Sequence, residues 1–283
     1  MNKFFTLLSA SMLALAANAA DLFTGSQYVT WGQGLQLEAA KFADAKAGDK
    51  LVISYTDATD GIELKVMDDF NRLPGSLQWC PINGNGTVEQ FLTPAAVAKL
   101  KAAGLEMIGN NFTVTKIELL EGKDNVTENT VWTGYFWMDS WTTLELTKTS
   151  FDGVDWNNVS AIRFCSEAGR TDYVINVMTG WEGDQKIADQ GMMTMTNDYA
   201  ELSLEDIDMA AKLADAAALM IQCNKEEGAA FNFTSIELVT KGAVGIANAT
   251  LATPATIAYD LTGRKAAADA KGLIIVGGKV RKF

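Results

Sequence analysis

The chain carries one pattern of residues twice, in the same order along its 283 residues. Leu22–Phe42 aligns with Val131–Phe151 without a gap, at an offset of 109. The offset is 111 between Gly61–Phe70 and Asp172–Trp181, and it reaches 119 at the last aligned strand. Matches that stay in order while the offset grows indicate one fold duplicated, with small loop insertions in the second copy. Such a duplication more often repeats a binding surface than an active site.

Composition excludes several classes of function. The net charge of −12 argues against nucleic acid or an anionic membrane as a partner. The chain has no histidine, which excludes Ser-His-Asp and Cys-His catalysis and His-ligated zinc. No phosphate-binding loop of the GxxxxGK type occurs. Any chemistry would have to rest on carboxylates, Lys, Tyr or a cofactor. Because the duplication favours binding over catalysis, the sequence predicts a protein that is not an enzyme, and no cofactor is expected.

Residues 1–19 have the pattern of a secretory signal peptide. Lys3 precedes the apolar stretch Phe4–Ala17, and Ala17-Asn18-Ala19 is an A-x-A cleavage site. The apolar stretch is too short to span a bilayer of ~30 Å, so no membrane insertion is expected. The mature chain is predicted to reach the cell surface or the medium through the periplasm.

Three cysteines remain after removal of this segment: Cys80, Cys165 and Cys223. An oxidising compartment permits one disulfide, for which Cys165 and Cys223 of the second copy are the candidates. The alternative is that the cysteines are buried small apolar residues. Their spacing fits no metal-binding motif.

Within each copy the apolar pattern is mostly that of strands. Leu35–Ala39 and Ile62–Val66 alternate apolar and polar residues, and Leu51–Tyr55 is a more continuous apolar run. Turn residues such as Asp60-Gly61 and Asn83–Gly86 separate these runs. Strands at this spacing predict a sandwich of antiparallel sheets.

One short helix interrupts each copy. In the first copy Thr93 is the predicted N-cap, Pro94 occupies the first turn, and Gly104 ends the helix. In the second copy Ser203 begins a pattern that resembles a capping box and precedes a predicted helix over Ile207–Ala218. The strand after each helix aligns Met107-Ile108 with Met220-Ile221.

The predicted fold is all-β. Two tandem, jelly-roll-like antiparallel β-sandwiches occupy residues 21–122 and 131–242, each with one short helix. Residues 243–256 are small, uncharged and interrupted by a proline, as in a linker. Residues 257–283 form a C-terminal β-hairpin tail.

The order of strands, the segment Leu92–Leu119 and the two-copy layout resemble the noncatalytic β-sandwich modules of secreted Bacteroidetes proteins. The resemblance covers about Asp21–Gly242. Such modules accompany polysaccharide-degrading enzymes and are similar to carbohydrate-binding modules. The resemblance therefore implies a polysaccharide or glycan as the partner.

The tail resembles the C-terminal sorting segment of Bacteroidetes proteins that use the type IX secretion route. Tyr259–Arg264 matches the entry to the hairpin, and Lys271-Gly272 matches its turn. Leu273-Ile274-Ile275 departs from the pattern, which has an aromatic residue at this place. The resemblance implies that the tail contacts the secretion machinery, and the alternative is a plain terminal hairpin.

Exposed aromatic side chains are the candidate binding residues, because sugars present apolar C–H faces to aromatic rings. Trp181 ends an alternating strand just before a polar loop, where Asp184 and Gln185 could accept or donate hydroxyl hydrogen bonds. The alternative for Trp181 is burial in the core. Trp132 aligns with Phe23 and is predicted to be a core residue.

In the first copy Phe70 and Trp79 are the predicted counterparts of Trp181, flanked by Asp68 and Asp69. Trp137 aligns with Tyr28, and the sequence leaves it open whether Trp137 is exposed. Trp31 and Trp141, in the first turn of each copy, are weaker candidates.

Structural calcium is an alternative use for the acidic loops, because calcium takes oxygen ligands from flexible loops. Asp68-Asp69 is one such loop, and Asp152, Asp155 and their neighbouring asparagines form the other. Neither has EF-hand spacing, and turn formation is the preferred explanation of both.

Three hypotheses follow. The first is a secreted noncatalytic carbohydrate-binding protein that gains avidity from two linked sites. The second is a surface structural or adhesive protein that uses the same sandwiches to bind protein. The third, an enzyme that uses carboxylates alone, is disfavoured by the duplication.

We predict that the mature chain begins near Ala20 and that deletion of residues 257–283 retains it in the periplasm. N-terminal sequencing and cell fractionation of the full and truncated proteins check both points. Normal surface appearance of the truncated protein would reduce the tail to a plain hairpin.

Overall fold

A computed structural model describes most of the chain after the predicted signal peptide. The described residues are 20–67, 71–139, 141–167, 174–182, 187, 193–194, 198–223, 231–242, 259–260, 273–276 and 279–282. The chain divides into two compact units, one ending at Thr240 and the other beginning at Lys241. The predicted signal peptide and linker lie outside the described residues.

The first half of the larger unit is a sandwich of two four-stranded antiparallel sheets, ordered β1-β8-β3-β6 and β2-β7-β4-β5. Its strands are β1 Ala20–Val29, β2 Leu35–Leu37, β3 Lys50–Ala58, β4 Gly61–Val66, β5 Cys80–Pro81, β6 Gly84–Phe91, β7 Leu105–Gly109 and β8 Phe112–Leu120. A 3-10 helix covers Ala39–Phe42, and helix α1 covers Pro94–Ala103.

The second half repeats this topology, with sheets ordered β9-β16-β11-β14 and β10-β15-β12-β13. Its strands are β9 Thr130–Met138, β10 Thr143–Thr147, β11 Val159–Ser166, β12 Val174–Met178, β13 Met193–Thr194, β14 Tyr199–Ser203, β15 Ala218–Cys223 and β16 Phe231–Thr240. Helix α2 covers Met209–Ala214, and 3-10 helices cover Lys148–Phe151 and Trp156–Asn158. Each strand of the first sandwich has a counterpart at the same place in the second.

The smaller unit contains a three-stranded antiparallel sheet. Its strands are β17 Tyr259–Asp260, β18 Leu273–Val276 and β19 Lys279–Lys282, and β18 and β19 form a hairpin. The predicted fold class, two all-β antiparallel sandwiches followed by a hairpin tail, is confirmed. Among the described residues, no helix has the length and apolar character needed to cross a membrane.

Each sandwich closes around its own apolar core, because alternate side chains of both sheets point inward. Val29 lies opposite Phe112 in the first sandwich, and Met138 lies opposite Phe231 in the second; all four side chains are buried. The helix of each sandwich adds apolar side chains to the same core, for example Leu100 of α1. The duplication therefore extends from the sequence to the packing.

The first helix follows the predicted pattern. Thr93 Oγ1 accepts a hydrogen bond from the Ala96 amide at 3.2 Å, and the helix ends at Gly104, whose φ is 93°. The second helix is shorter than predicted. Ser203 belongs to β14, where it pairs with Ala161, and Asp208 caps the helix instead. Strand pairing overrides the local capping pattern there.

Hydrogen-bond register corrects one part of the repeat alignment. Leu35 lies opposite Met107, and its counterpart Leu144 lies opposite Ile221 rather than Met220. Met107 and Ile221 both belong to the cores of their sandwiches. The alignment of Met107 with Met220 is therefore one residue out of register. In a strand, a shift of one residue places the side chain on the opposite face of the sheet.

The three cysteines are thiols, with no disulfide between them. Cys223 is part of the second core, whereas Cys165 pairs with Tyr199 and Ser235 and is absent from that core. The disulfide alternative for Cys165 and Cys223 is therefore wrong. The two residues lie on strands of different sheets, β11 and β15.

A clasp, which we define as the segment Arg72–Gln78 of the first sandwich, joins the two sandwiches. The Gln78 amide donates to Glu145 O at 2.7 Å, and Ser76 O accepts from the Thr147 amide at 3.3 Å. Leu77 forms a bridge with Leu146, so the clasp extends the sheet at the free edge of β10. Covering an edge in this way satisfies backbone groups that would otherwise be unpaired.

The clasp also uses buried hydroxyl groups of the second sandwich. Ser150 Oγ accepts a hydrogen bond from the Gly75 amide at 2.8 Å, and Thr149 Oγ1 donates to Arg72 O at 2.9 Å. Gly75 has a φ of 77°, and a Cβ at this position would lie 2.6 Å from Thr93 Cγ2. The backbone conformation and the space both require glycine there.

We predict that Ser150→Ala lowers the free energy of unfolding by about 1–3 kcal/mol, because it leaves the Gly75 amide buried without an acceptor. Urea unfolding followed by circular dichroism measures the change. Ser26→Ala, at an exposed position of β1, is the matched control and should stay within about 0.5 kcal/mol of the wild type. Equal midpoints for both variants would contradict the role of Ser150.

Candidate functional site

Large aromatic side chains are exposed at repeated positions. Tyr28 and Trp137 occupy equivalent positions on β1 and β9, and Trp31 and Trp141 lie in the turns that follow these strands. All four are exposed, which resolves the question that the sequence left open for Trp137. Solvent-facing aromatic rings repeated at the same end of two sandwiches indicate a repeated binding surface.

Trp31 stands in a tight turn built by its neighbours. The Thr30 amide donates to Gln33 O at 2.9 Å, and Thr30 Oγ1 accepts from the amides of Gly32 and Gln33. The hydroxyl group thereby holds the turn closed from inside. Trp31 is 47% exposed in this turn.

Trp79 contacts both Trp31 and the backbone of Gly61. The Trp31 and Trp79 rings are stacked, with centroids 5.6 Å apart and planes 21° apart. On the Gly61 side, a Cβ would lie 2.2 Å from Trp79 Cζ2 and 2.3 Å from Cε2, so the glycine packs directly on the ring. Trp79, which is half-buried, therefore contacts both the Gly61 backbone and the Trp31 ring, and Trp31 is the more exposed of the two rings.

Polar groups border this stack. The Asn110 amide donates to Gly61 O at 3.2 Å, and Asn110 Nδ2 donates to Asp60 Oδ2 at 3.2 Å. Asp60 is exposed and directly precedes Gly61. We call Trp31, Trp79, Asp60 and Asn110 the aromatic end of the first sandwich. An open ring face beside a carboxylate and an amide can hold a flat, hydroxylated ligand.

Trp141 occupies the equivalent turn of the second sandwich. Its amide donates to Cys223 O at 3.1 Å, and Cys223 ends β15 as Gly109 ends β7. Gln222 Nε2 donates to Trp141 O at 3.4 Å. The φ of Trp141 is 63°, a left-handed backbone conformation that bulky residues seldom adopt. Such strain tends to persist at binding sites.

Trp181 lies at the other end of the second sandwich. It lies three residues beyond Met178, the last residue of β12, whereas Ile175, near the beginning of that strand, pairs with Cys223 beside Trp141. Trp181 is 63% exposed, so the burial alternative is wrong. Trp79, its predicted counterpart, packs against Gly61, the first residue of β4, which is the strand equivalent to β12. Trp79 and Trp181 therefore lie near opposite ends of equivalent strands and are not equivalent in the fold.

The other five predicted site residues stay predictions. Asp68, Asp69, Phe70, Asp184 and Gln185 lie outside the described residues. From the sequence, Trp31 and Trp141 were the weaker candidates for binding residues. Their shared position in the first turn of each copy was the signal that pointed to them.

Other candidates have structural roles. Trp132 is buried against Phe233, as predicted for a core residue. Asp155 Oδ1 accepts from the Asn157 amide at 3.1 Å, which is the turn role that the sequence allowed. Within the described part of the chain, no three His, Cys, Asp or Glu side chains form a cluster that could hold a metal ion.

Neither a family model nor a curated protein matches the chain. One similar solved structure is a Bacteroides ovatus mixed-linkage glucan utilization locus protein, SGBP-B, in complex with a mixed-linkage heptasaccharide. The match has 20% identity and a TM-score of 0.32, and it covers 36% of this chain and 28% of that one. This chain thus spans well under two thirds of that protein.

We predict that Gly61→Ala displaces Trp79 and loosens Trp31, because the added methyl group overlaps the Trp79 ring. Overpacking of this kind costs about 1–3 kcal/mol. Urea unfolding measures the stability, and quenching of tryptophan fluorescence by acrylamide measures the exposure of the rings.

Gly32→Ala, in the adjacent turn, is the matched control, because a methyl group added there meets no atom within 4 Å. It should leave stability and quenching unchanged. If Gly61→Ala behaved like Gly32→Ala, the supporting role of Trp79 would be rejected.

Proposed function

We propose that this protein is a noncatalytic carbohydrate-binding protein that holds polysaccharide at the aromatic end of its first sandwich. The observation that carries the proposal is the packing of Gly61 on Trp79 and of Trp79 on Trp31, with Trp31 47% exposed to solvent. The apolar C–H face of a sugar ring stacks on such a surface. Asp60 and Asn110 are the adjacent groups for hydroxyl hydrogen bonds.

The second sandwich offers a second contact through Trp141 and Trp137. Both sandwiches belong to one compact unit and are joined by the clasp. Two weak sites that are held together bind a long polymer more tightly than either site alone, provided the polymer reaches both. A repeating polysaccharide meets that condition more readily than a small sugar.

Trp181 remains a second proposed platform, with Asp184 and Gln185 as its predicted polar partners. Its exposure is compatible with stacking. Because Trp181 and Trp141 lie at opposite ends of the second sandwich, mutations at the two positions test separate surfaces.

The proposal includes location. The N-terminal pattern and the tail pattern support export and delivery to the cell surface or the medium, where a polysaccharide is accessible. The alternative function, adhesion to protein partners through the same sandwiches, uses the same exposed rings and predicts no retention on any polysaccharide.

We predict that Trp31→Ala weakens retention of the mature protein on its polysaccharide about tenfold or more. Stacking on an aromatic ring contributes on the order of 1–3 kcal/mol, by analogy with nucleobase stacking. The free energy of unfolding should change by no more than about 1.5 kcal/mol, because Trp31 is half exposed and loses mainly its contact with Trp79. Affinity electrophoresis on a panel of plant and host polysaccharides measures retention, and urea unfolding measures stability.

Trp31→Tyr is the matched control, because it keeps an aromatic face in the turn and should keep most of the retention. Trp141→Ala and Trp181→Ala run in the same screen. Loss of retention in Trp181→Ala alone would place the polysaccharide site at the end of the second sandwich that carries Trp181, instead of at the aromatic end. Retention of the wild type on no polysaccharide would favour the adhesive alternative.

A further inference from the structure

A cavity of about 100 Å³ lies where the two sandwiches meet. It is bounded by the edge strands β6 and β9 and by the clasp and the residues that follow it. Its lining is mainly apolar and includes Ile62, Leu64, Trp132 and Phe136. The junction between two domains is a common place for a ligand site.

Ser76 supplies an unpartnered hydroxyl group to this cavity. Its side chain is 2% exposed, and Ser76 Oγ has no hydrogen-bond partner. Its backbone is fixed, because the Ser76 amide donates to Leu73 O at 3.0 Å and its carbonyl accepts from Thr147. A buried hydroxyl group without a partner is unfavourable, so a guest that hydrogen-bonds to it gains affinity.

The other polar groups of the lining favour an uncharged guest. Gln90 Nε2 already donates to Gly75 O and Phe91 O. Burial raises the pKa of the Cys80 thiol to about 11, so the thiol is neutral at physiological pH. The Glu89 carboxylate is paired with Lys50 at 2.7 Å. The neighbouring Lys123 amine, whose pKa is lowered by burial to about 8, already donates to Gly134 O and Thr234 O. The described lining therefore offers no unpaired charge to an ionic ligand.

An aromatic ring stands at the rim of the cavity. Tyr135 is 62% exposed and meets Phe91 edge to face, with ring centroids 5.8 Å apart. Lys123 Nζ lies 4.2 Å from the Tyr135 ring centroid and donates to Gly134 O at 2.6 Å. Tyr135 is therefore held in place while most of its surface stays open to solvent.

We propose that this cavity is a second sugar subsite, which admits the hydroxymethyl arm of a neutral hexose whose ring lies on Tyr135. The proposal rests on the proposed carbohydrate-binding function. The volume decides which part of the sugar enters, because an engineered cavity of about 150 Å³ just holds benzene. The smaller cavity here accepts an arm and excludes a ring. The hydroxyl group of the arm hydrogen-bonds to Ser76 Oγ.

Two ligands that differ only in this arm test the proposal: methyl β-glucoside, which has the hydroxymethyl group, and methyl β-xyloside, which lacks it. Titration of the mature protein, followed by NMR, gives both affinities. The glucoside should bind about tenfold more tightly. Ser76→Ala should lower the affinity for the glucoside about tenfold, to the level of the xyloside, while Ser26→Ala changes neither.

Tyr135→Ala is the second variant, since its exposed ring can be removed without opening a core; it should weaken both glycosides. Urea unfolding confirms that each variant is folded. Equal affinity of the wild type for the two glycosides, or an unchanged affinity in Ser76→Ala, would overturn the subsite and leave a water-filled cavity.

Trp31→Ala separates this inference from the proposed function. It should weaken polysaccharide retention about tenfold or more while leaving the preference for the glucoside intact. Retention that is undiminished in Trp31→Ala would remove the aromatic end from the proposed function without affecting the test of Ser76.

Discussion

The clasp holds the two sandwiches of the duplicated fold together in one compact unit. Each sandwich closes its own core, and Leu77 of the clasp packs against the core of the second sandwich. The segment Arg72–Gln78 joins them by lying along the free edge of β10 and by using the buried hydroxyls of Thr149 and Ser150. These contacts are backbone hydrogen bonds and buried polar hydrogen bonds. Because hydrogen bonds depend on direction as well as distance, they fix the orientation of the two sandwiches as well as their separation. The cavity beside Ser76 is a consequence of this junction.

The aromatic end depends on a different constraint, which is the absence of a side chain at Gly61. The glycine lets Trp79 lie on the backbone, and Trp79 in turn gives Trp31 a flat support. A ring held in this way loses little conformational entropy on binding, so more of the stacking energy is available for affinity. Hydrogen bonds at Gly61 also position Asp60 and Asn110. The Asn110 side chain donates to the Asp60 carboxylate, and the Asn110 amide donates to the Gly61 carbonyl.

Duplication preserved the sheets more closely than the surfaces. The two sandwiches share strand order and the Val29–Phe112 and Met138–Phe231 core pairs. They differ in the aromatic end, where Trp31 rests on another tryptophan and Trp141 is held by backbone hydrogen bonds in a left-handed conformation. Core positions are constrained by packing, whereas exposed turns are free to diverge, so the two ends are expected to differ in affinity.

The sequence by itself determined the fold class, the duplication and the first helix, because turn residues, the period-2 alternation and the Thr93–Gly104 capping pattern act over a few neighbouring residues. It failed where distant segments compete with local preference: Ser203 joined a strand, and the match at Met220 was one residue out of register. Only the tertiary structure decided that Trp31 and Trp79 stack and that Trp181 lies at the opposite end of its sandwich from Trp141. Such contacts are set by strand pairing across the sheets, which no local pattern encodes.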